Sequence, residues 1–185
     1  MSKHHILFCK FAPNAFECMK SIKNISAKPF IKWVGGKTQL LDEVKRFLPS
    51  DLGKRTGLTY VEPFVGGGAV LFWILQEYPN IERAVINDIN AELICTYRVI
   101  KSNVEALIQE LNRIQSEYIS TGADDRKEYF LSKRALFNSR NISDIETAAL
   151  FIFLNRTFFN GLYRVNSKGE FNVPHGKYSN PKICD

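Results

Sequence analysis

Hydrophobic and polar residues follow two strand patterns joined by a helical one in the first half of the chain. The run 58–62 is typical of a buried strand, and the apolar stretch 69–78 beyond a glycine turn predicts a helix. Pro79 and Asn80 end that helix, and 84–86 predicts a second strand. Two strands joined by a helix in this order predict a parallel βαβ unit.

Helical periodicity dominates elsewhere. Thr38 is predicted to cap a helix that continues to residue 48, and Asn90 to cap the helix that follows the second strand. An amphipathic pattern over 104–114 predicts a further helix that ends near residue 121, and a charged stretch leads into another up to residue 137. Ser143 and Glu146 match a capping box that opens a buried helix.

Two short extended runs follow this last helix, at 162–165 and 171–173. They are separated by 166–169, whose sequence Asn-Ser-Lys-Gly is a β-hairpin signal. A further short run at 30–34 is strand-like or extended. The predicted fold class is therefore α/β: an incomplete Rossmann-like domain with a helical and β-hairpin region.

Composition narrows the class of protein. The chain has 185 residues, of which 45% are hydrophobic, so it can form one globular domain. Its 25 lysines and arginines exceed 19 acidic residues and give a net charge of +6, which favours a polyanionic partner or simply a basic enzyme. No apolar run approaches the roughly 20 residues that span a bilayer. Four cysteines without CxxC or zinc-ligand spacing indicate neither a metal site nor disulfides, so we expect a soluble cytoplasmic protein.

Three interpretations of a nucleotide-type site in this part of the chain compete. A phosphate-binding P-loop ending at Gly36-Lys37-Thr38 would need a glycine at Ile31, and a dinucleotide-binding turn starting at Gly66 would need one at Leu71. There remains a turn that lets a ligand without phosphates approach bare backbone, since glycine has no Cβ. Asp88, at the end of the second strand, is placed to accept hydrogen bonds from both hydroxyls of a ribose.

The order of these motifs resembles the Dam-type DNA adenine methyltransferases. The match starts near Pro29 and runs to the C-terminus. The matching segments are Phe30-Ile31-Lys32-Trp33-Val34-Gly35-Gly36-Lys37, Glu62-Pro63-Phe64-Val65-Gly66-Gly67-Gly68, Asn87-Asp88-Ile89-Asn90, Phe153-Leu154-Asn155-Arg156, Phe159-Asn160-Gly161-Leu162-Tyr163-Arg164 and Gly169-Glu170-Phe171-Asn172-Val173-Pro174.

The resemblance implies S-adenosylmethionine as the cofactor. Trp33 and Lys37 would lie against its methionine portion, with the lysine facing the carboxylate, and Asp88 would bind the ribose. The implied cofactor-binding residues are Trp33, Lys37, Glu62, Pro63, Phe64, Gly66, Gly68, Asp88 and Ile89.

A basic segment follows residue 155. Between Arg156 and Lys182, five basic residues and one acidic residue are interleaved with aromatic ones. This pattern suits contacts with the phosphates and base edges of double-stranded DNA. It is equally consistent with a solvated basic hairpin whose aromatic residues lie in the core. The resemblance implies target recognition by this region, with Phe159-Asn160 filling the gap left by a flipped base and Arg164 and Asn166 contacting bases or phosphates. The candidate DNA-binding residues are Arg156, Phe159, Asn160, Arg164, Asn166, Lys168 and Lys177. His175 is assigned no catalytic role.

The catalytic motif of these enzymes, of the type Asp-Pro-Pro-Tyr, is missing. The chain contains no Pro-Pro dipeptide, so we assign no catalytic residue within it and expect it to be inactive alone. The alternatives are a non-catalytic DNA-binding fragment and a degraded reading frame. The resemblance also suggests a bacterial or phage-like origin and a separate restriction endonuclease acting on the same site as a partner.

The predicted organisation has three parts. Residues 1–28 form an N-terminal extension outside the fold, 29–100 form the cofactor-binding half, and 101–185 form a truncated target-recognition region.

Overall fold

The computed structural model of the chain describes residues 5–10, as backbone, and 26–184. The chain forms two compact units. The sheet unit comprises Met1–Pro29 and Gly35–Ile89, and the helical unit comprises Phe30–Val34 and Asn90–Asp185. No helix within the described residues is both long and apolar enough to cross a membrane.

The sheet unit is built on the predicted βαβ element. Strand β2, Leu58–Glu62, runs parallel to strand β3, Ile81–Asp88, with Glu62 opposite Ile86. Helix α2, Ala69–Glu77, connects them and buries Ala69, Val70, Leu71 and Ile74. Ala84, Ile86 and Asp88 alternate along β3 as buried positions, as the two-residue period of a strand requires. The prediction of two parallel strands joined by a helix is confirmed.

Two features of the sheet unit differ from expectation. His5–Lys10 forms strand β1, antiparallel to β3, so this stretch of the predicted extension is part of the sheet; residues 1–4 and 11–25 of it lie outside the described residues. Thr38 does not cap a helix. It begins a single 3-10 turn, Thr38–Leu40, whose backbone bonds to the carbonyl of Lys37, and helix α1 is only Leu41–Phe47.

The helical unit contains four helices in the described part of the chain. They are α3, Ala91–Ser102; α4, Val104–Ser120; α5, Arg126–Ser139; and α6, Asp144–Thr157. Helix α6 is central, because the other three all pack against it, and its residues from Ala148 to Asn155 are all buried. The apolar surface all round this helix thus has a partner on every side.

Both predicted caps of the helical unit are confirmed. The side chain of Asn90 accepts a hydrogen bond from the amide of Leu93 at 2.6 Å. Ser143 accepts from the amide of Glu146, whose carboxylate accepts in return from the amide of Ser143 at 3.1 Å. These local bonds satisfy amides that the first helical turn leaves without partners.

A C-terminal loop, defined here as residues 158–178, folds back against the helices. It opens with a 3-10 turn, Phe159–Gly161, and its two limbs pair antiparallel at Phe158 with His175 and at Val165 with Phe171. The hairpin turn is present, since the amide of Asn166 bonds to the carbonyl of Glu170 at 2.9 Å. The two predicted strands are reduced to these single bridges.

Candidate functional site

The turn after β2 is bound to the end of β3. The amide of Val65 donates to the carbonyl of Asn87 at 3.0 Å, and the side-chain amide of Asn87 donates to the carbonyl of Pro63 at 3.0 Å. Because β2 and β3 are parallel, their carboxyl ends share one edge of the sheet, where ligands of α/β folds bind. The turn 63–68 is therefore held at that edge.

Asp88 is the buried charge of this site. Its side chain is 7% exposed, and its Oδ2 accepts a hydrogen bond from the amide of Gly66 at 3.0 Å. A buried carboxylate needs such donors, because burial of a charge without partners costs several kcal/mol, on the order of a whole domain's stability. The carboxylate thus joins the glycine turn to the end of β3.

Two glycines make the turn conformation possible. Gly66 and Gly68 have φ of +50° and +81°, in the left-handed region that favours glycine. Gly68 then precedes the first residue of α2. The turn leads directly into a helix N-terminus with no side chain over its backbone at these two positions.

Two large apolar side chains of this part of the sheet unit are exposed. Phe64 in the turn is 77% exposed, and Ile89, which directly follows Asp88, is 74% exposed. Both are candidate cofactor residues from the sequence. Exposed apolar side chains next to convergent polar groups are typical of a ligand site.

Glu62 ends β2 in a partly desolvated position. Burial raises its pKa to about 7, although the hydroxyl of Tyr60, which donates to Oε2 at 2.9 Å, and the charge of Lys37 both oppose that rise. Lys37 and Pro63 are exposed. Glu62 and Lys37 thus offer an acidic and a basic group within the sheet unit. These groups complement the ammonium and the carboxylate of an amino acid, respectively.

Trp33 lies in the helical unit and is half-buried there. Its indole stacks on the ring of Tyr163, with centroids 5.5 Å apart and planes at 28°, and it also contacts Phe151. The segment that carries it is fixed by Asn155, whose side chain bonds to both the amide and the carbonyl of Lys32 at 2.7 and 2.8 Å.

The C-terminal loop displays most of the predicted DNA-binding side chains. Phe159 is 53% exposed, Asn160 is exposed with φ of +59°, and Lys168 and Lys177 are exposed. A strained backbone at an exposed polar residue is a common property of functional loops. Of the remaining candidates, Arg164 is also exposed, whereas Asn166 and Arg156 are half-buried.

Arg164 and Asn166 are engaged within the loop itself. Nε of Arg164 donates to Asn172 at 3.1 Å. Asn166 accepts from the amides of Lys168 and Glu170 and donates to the Glu170 carboxylate, so it organises the hairpin turn. Arg156 is half-buried in α6, and its Nε is buried without a hydrogen-bond partner among the described residues.

Helix α5 anchors the returning limb of the loop. Arg126, Arg134 and Asn138, spaced at multiples of four on α5, bond to the carbonyls of Ser179, Val173 and Phe171 at 2.7, 3.1 and 3.0 Å. Asn138 also accepts from the amide of Phe171 at 2.9 Å. A four-residue spacing places side chains on one face of a helix, so α5 presents a row of donors to the loop.

Sequence reasoning missed several residues that build the site. Asn87, Tyr60 and Asn155 all make hydrogen bonds that fix candidate residues or their segments. Asn87 and Asn155 stand inside motifs that the sequence does mark, next to Asp88 and Arg156. A buried amide beside a motif residue is the available signal, since such a group needs partners.

These features define a class: an α/β protein with a candidate ligand site at the carboxyl edge of parallel strands, and a helical unit with a basic, aromatic loop. Residues 33–185 match the family model of the D12 class N6 adenine-specific DNA methyltransferases. The chain belongs to this family, and the predicted resemblance is confirmed.

Individual relatives agree with the family. The chain is 48% identical over 163 residues to the type II methyltransferase M.MjaIII of Methanocaldococcus jannaschii, covering 87% of this chain and 56% of that protein. It is 43% identical to the type II methyltransferase M1.LlaDCHI of Lactococcus lactis subsp. cremoris over 87% of this chain and 52% of the relative. It is 40% identical to a DNA adenine methylase of Haemophilus influenzae, over 82% of this chain and 48% of that relative. The chain spans about half the length of these curated relatives.

Proposed function

We propose that this protein serves the transfer of the methyl group of S-adenosylmethionine to the exocyclic amine of adenine in double-stranded DNA. In this reaction the carbon–sulfur bond of the sulfonium breaks, a carbon–nitrogen bond forms, and the amine loses one proton. The observations that support it most are the buried carboxylate of Asp88, the glycine turn bonded to it, and two exposed apolar residues, Phe64 in that turn and Ile89 directly after Asp88 in the chain.

The sheet unit would hold the adenosine portion of the cofactor. Asp88 would accept from the ribose hydroxyls, and Phe64 and Ile89 would cover the adenine faces with their exposed apolar surfaces. Gly66 and Gly68 leave the turn open for the approach of the ligand. Lys37 and Glu62 would face the carboxylate and the ammonium of the methionine portion, and Trp33 would lie against that portion.

The C-terminal loop would contact DNA. Phe159 and Asn160 are exposed at the opening turn and suit a wedge that replaces a flipped base. Lys168, Lys177 and Arg164 are exposed and would neutralise phosphates, as would Arg156 once freed from its half-buried position. The main role of Asn166 would be to shape the turn that carries Lys168.

Chemistry on the amine needs groups that this stretch of sequence does not contain. The lone pair of the amine is delocalised into the purine ring, so acceptors must hold it while the sulfonium lies in line. The Asp-Pro-Pro-Tyr type motif that does this in the family is not among these residues. We therefore propose that the 185-residue chain binds cofactor and DNA but does not turn over.

The names of two relatives support a further point. Both M.MjaIII and M1.LlaDCHI are named type II methyltransferases. We accordingly propose, as a candidate partner, a separate restriction endonuclease that acts on the same DNA site.

A pair of assays tests this function. Thermal unfolding with S-adenosylhomocysteine measures cofactor binding, since a ligand that binds only the folded state raises the midpoint. Transfer of tritium from labelled S-adenosylmethionine to duplexes that contain all short sites measures turnover. We expect a raised midpoint and no transfer. Transfer by the chain alone would refute the proposal that these residues contain no catalytic group. DNA binding without any cofactor binding would support the non-catalytic alternative.

A further inference from the structure

The segment 30–34, here called the Trp33 segment, is an integral part of the helical unit although it is distant from that unit in sequence. The ring of Phe30 packs edge-on against Tyr97 with centroids 5.2 Å apart. The backbone of Lys32 forms two hydrogen bonds with the buried side chain of Asn155. Helices α3 and α6 thus fix the segment at two successive points.

The side chain of Lys32 extends over the C-terminal loop. A Cβ at Gly161 would come within 3.1 Å of Lys32 Cδ, so the glycine permits a close approach, and its φ of +65° also favours glycine. Further along, Nζ of Lys32 lies 5.0 Å from the ring centroid of Tyr178, within cation–π range. Lys32 therefore contacts both limbs of the loop.

Trp33 is stacked on the loop. Its partner Tyr163 is in turn packed against Phe151 of α6 and Phe171 of the returning limb, with centroid distances of 5.5 and 5.3 Å. The next residue along the chain is Arg164. The indole thus rests on a ring that is itself held between a buried helix and the loop.

We propose that Tyr163 is a positioning residue: its ring holds the indole of Trp33 in the orientation that the cofactor requires, and so couples the C-terminal loop to this one cofactor contact within the helical unit. The inference rests on the proposed function, because it takes Trp33 as a cofactor contact. It follows that a change in the loop reaches the cofactor through this stack, and the coupling is reciprocal for binding.

Affinity for S-adenosylhomocysteine, measured by titration calorimetry on the full 185-residue chain, tests the proposal. Loss of an aromatic stack costs a factor of about three to ten in a binding constant that depends on it, so Tyr163→Leu should weaken binding by that much. Tyr163→Phe keeps the ring and should bind as the unchanged protein does. That rescue distinguishes the stack from the hydroxyl group of Tyr163.

Tyr129→Leu is the matched control. Tyr129 is also half-buried in the helical unit, and its ring contacts there are with Tyr118 and Phe153 rather than with the stacked pair Trp33 and Tyr163. The Tyr129→Leu change should leave the affinity for S-adenosylhomocysteine unchanged. Equal weakening by both leucine variants, or none by Tyr163→Leu, overturns the proposal.

A second measurement needs no destabilising change in the stack. In Trp73→Phe protein, Trp33 is the only tryptophan, and its emission reports its contact with Tyr163. Short duplexes of random sequence, whose binding is followed separately by fluorescence polarisation, should shift that emission. Binding without a shift overturns the coupling alone, whereas a folded chain that binds neither S-adenosylhomocysteine nor DNA overturns the proposed function and the coupling together.

Discussion

Asn155 offers a direct test of how the Trp33 segment is held. Its side chain is 2% exposed and makes two hydrogen bonds to the backbone of Lys32 across 123 residues of chain. Asn155→Leu keeps the volume and removes both bonds. At about 1 kcal/mol of net stabilisation for each neutral bond, the loss is about 2 kcal/mol.

Two assays measure this loss. Urea unfolding of Asn155→Leu should show that reduction in the free energy of unfolding, which corresponds to a fall of about 4–8 °C in Tm for a chain of this size. Trypsin cleavage after Lys32 should accelerate by about 25-fold, because the opening of the segment becomes easier by the same energy.

Asn138→Leu provides the matched control for local opening. Asn138 binds the amide and the carbonyl of Phe171 in the same manner, at 2.9 and 3.0 Å. Its loss should lower stability as well but leave cleavage after Lys32 much less affected. Equal acceleration in both variants, or a cost below about 0.5 kcal/mol for Asn155→Leu, would contradict a local role for Asn155.

Three further predictions concern pH and capping. The pKa of Glu62 is raised from 4.5 to about 7, so between these pH values the folded state binds more protons than the unfolded state. The free energy of unfolding should therefore decrease as pH rises through that window. In urea titrations Glu62→Gln should abolish the decrease. Burial and the charges of neighbouring cations lower the pKa of His175, so stability should be lost as pH falls below 6.5. Circular dichroism melts of His175→Phe should lack that loss. The same acid loss in the variant would contradict the prediction. The hydroxyl of Tyr118 lies 2.7 Å from Nε2 of His175. Ser143→Ala should cost about 1 kcal/mol in urea unfolding, whereas Ser116→Ala at an exposed position within α4 should cost nothing measurable.

Local signals explain which parts of the fold the sequence predicts well. The caps at Asn90 and Ser143, the strand 58–62 and the buried helix around Phe151 depend on residues close together in the chain. The family motifs add Asp88 and the glycine turn, because their order is specific even where each alone is weak. These elements required no knowledge of distant contacts.

Long-range partners explain what the sequence does not predict. The hydrogen bonds of Asn155 to Lys32 and the pairing of β1 with β3 join residues far apart in the chain, and no periodicity encodes either. Thr38 has the residue type of a cap, yet a 3-10 turn on Lys37 displaces the start of α1 to Leu41. Asn166 has the residue type of a base reader, yet the turn uses its side chain.

The most direct test of the central claim is the affinity of the folded chain for S-adenosylhomocysteine with and without the charge at Asp88. Asp88→Asn is the informative change, since it keeps an oxygen for the amide of Gly66 while it removes the charge and replaces the second oxygen with an NH2 group. Hydrogen bonds to a charged group are worth about 1.5–3 kcal/mol, so titration calorimetry should show binding by the unchanged chain that is about 10- to 100-fold weaker in the variant. Equal affinities in the two folded proteins, or no binding by the unchanged chain, would contradict the assignment of this edge of the sheet as the cofactor site.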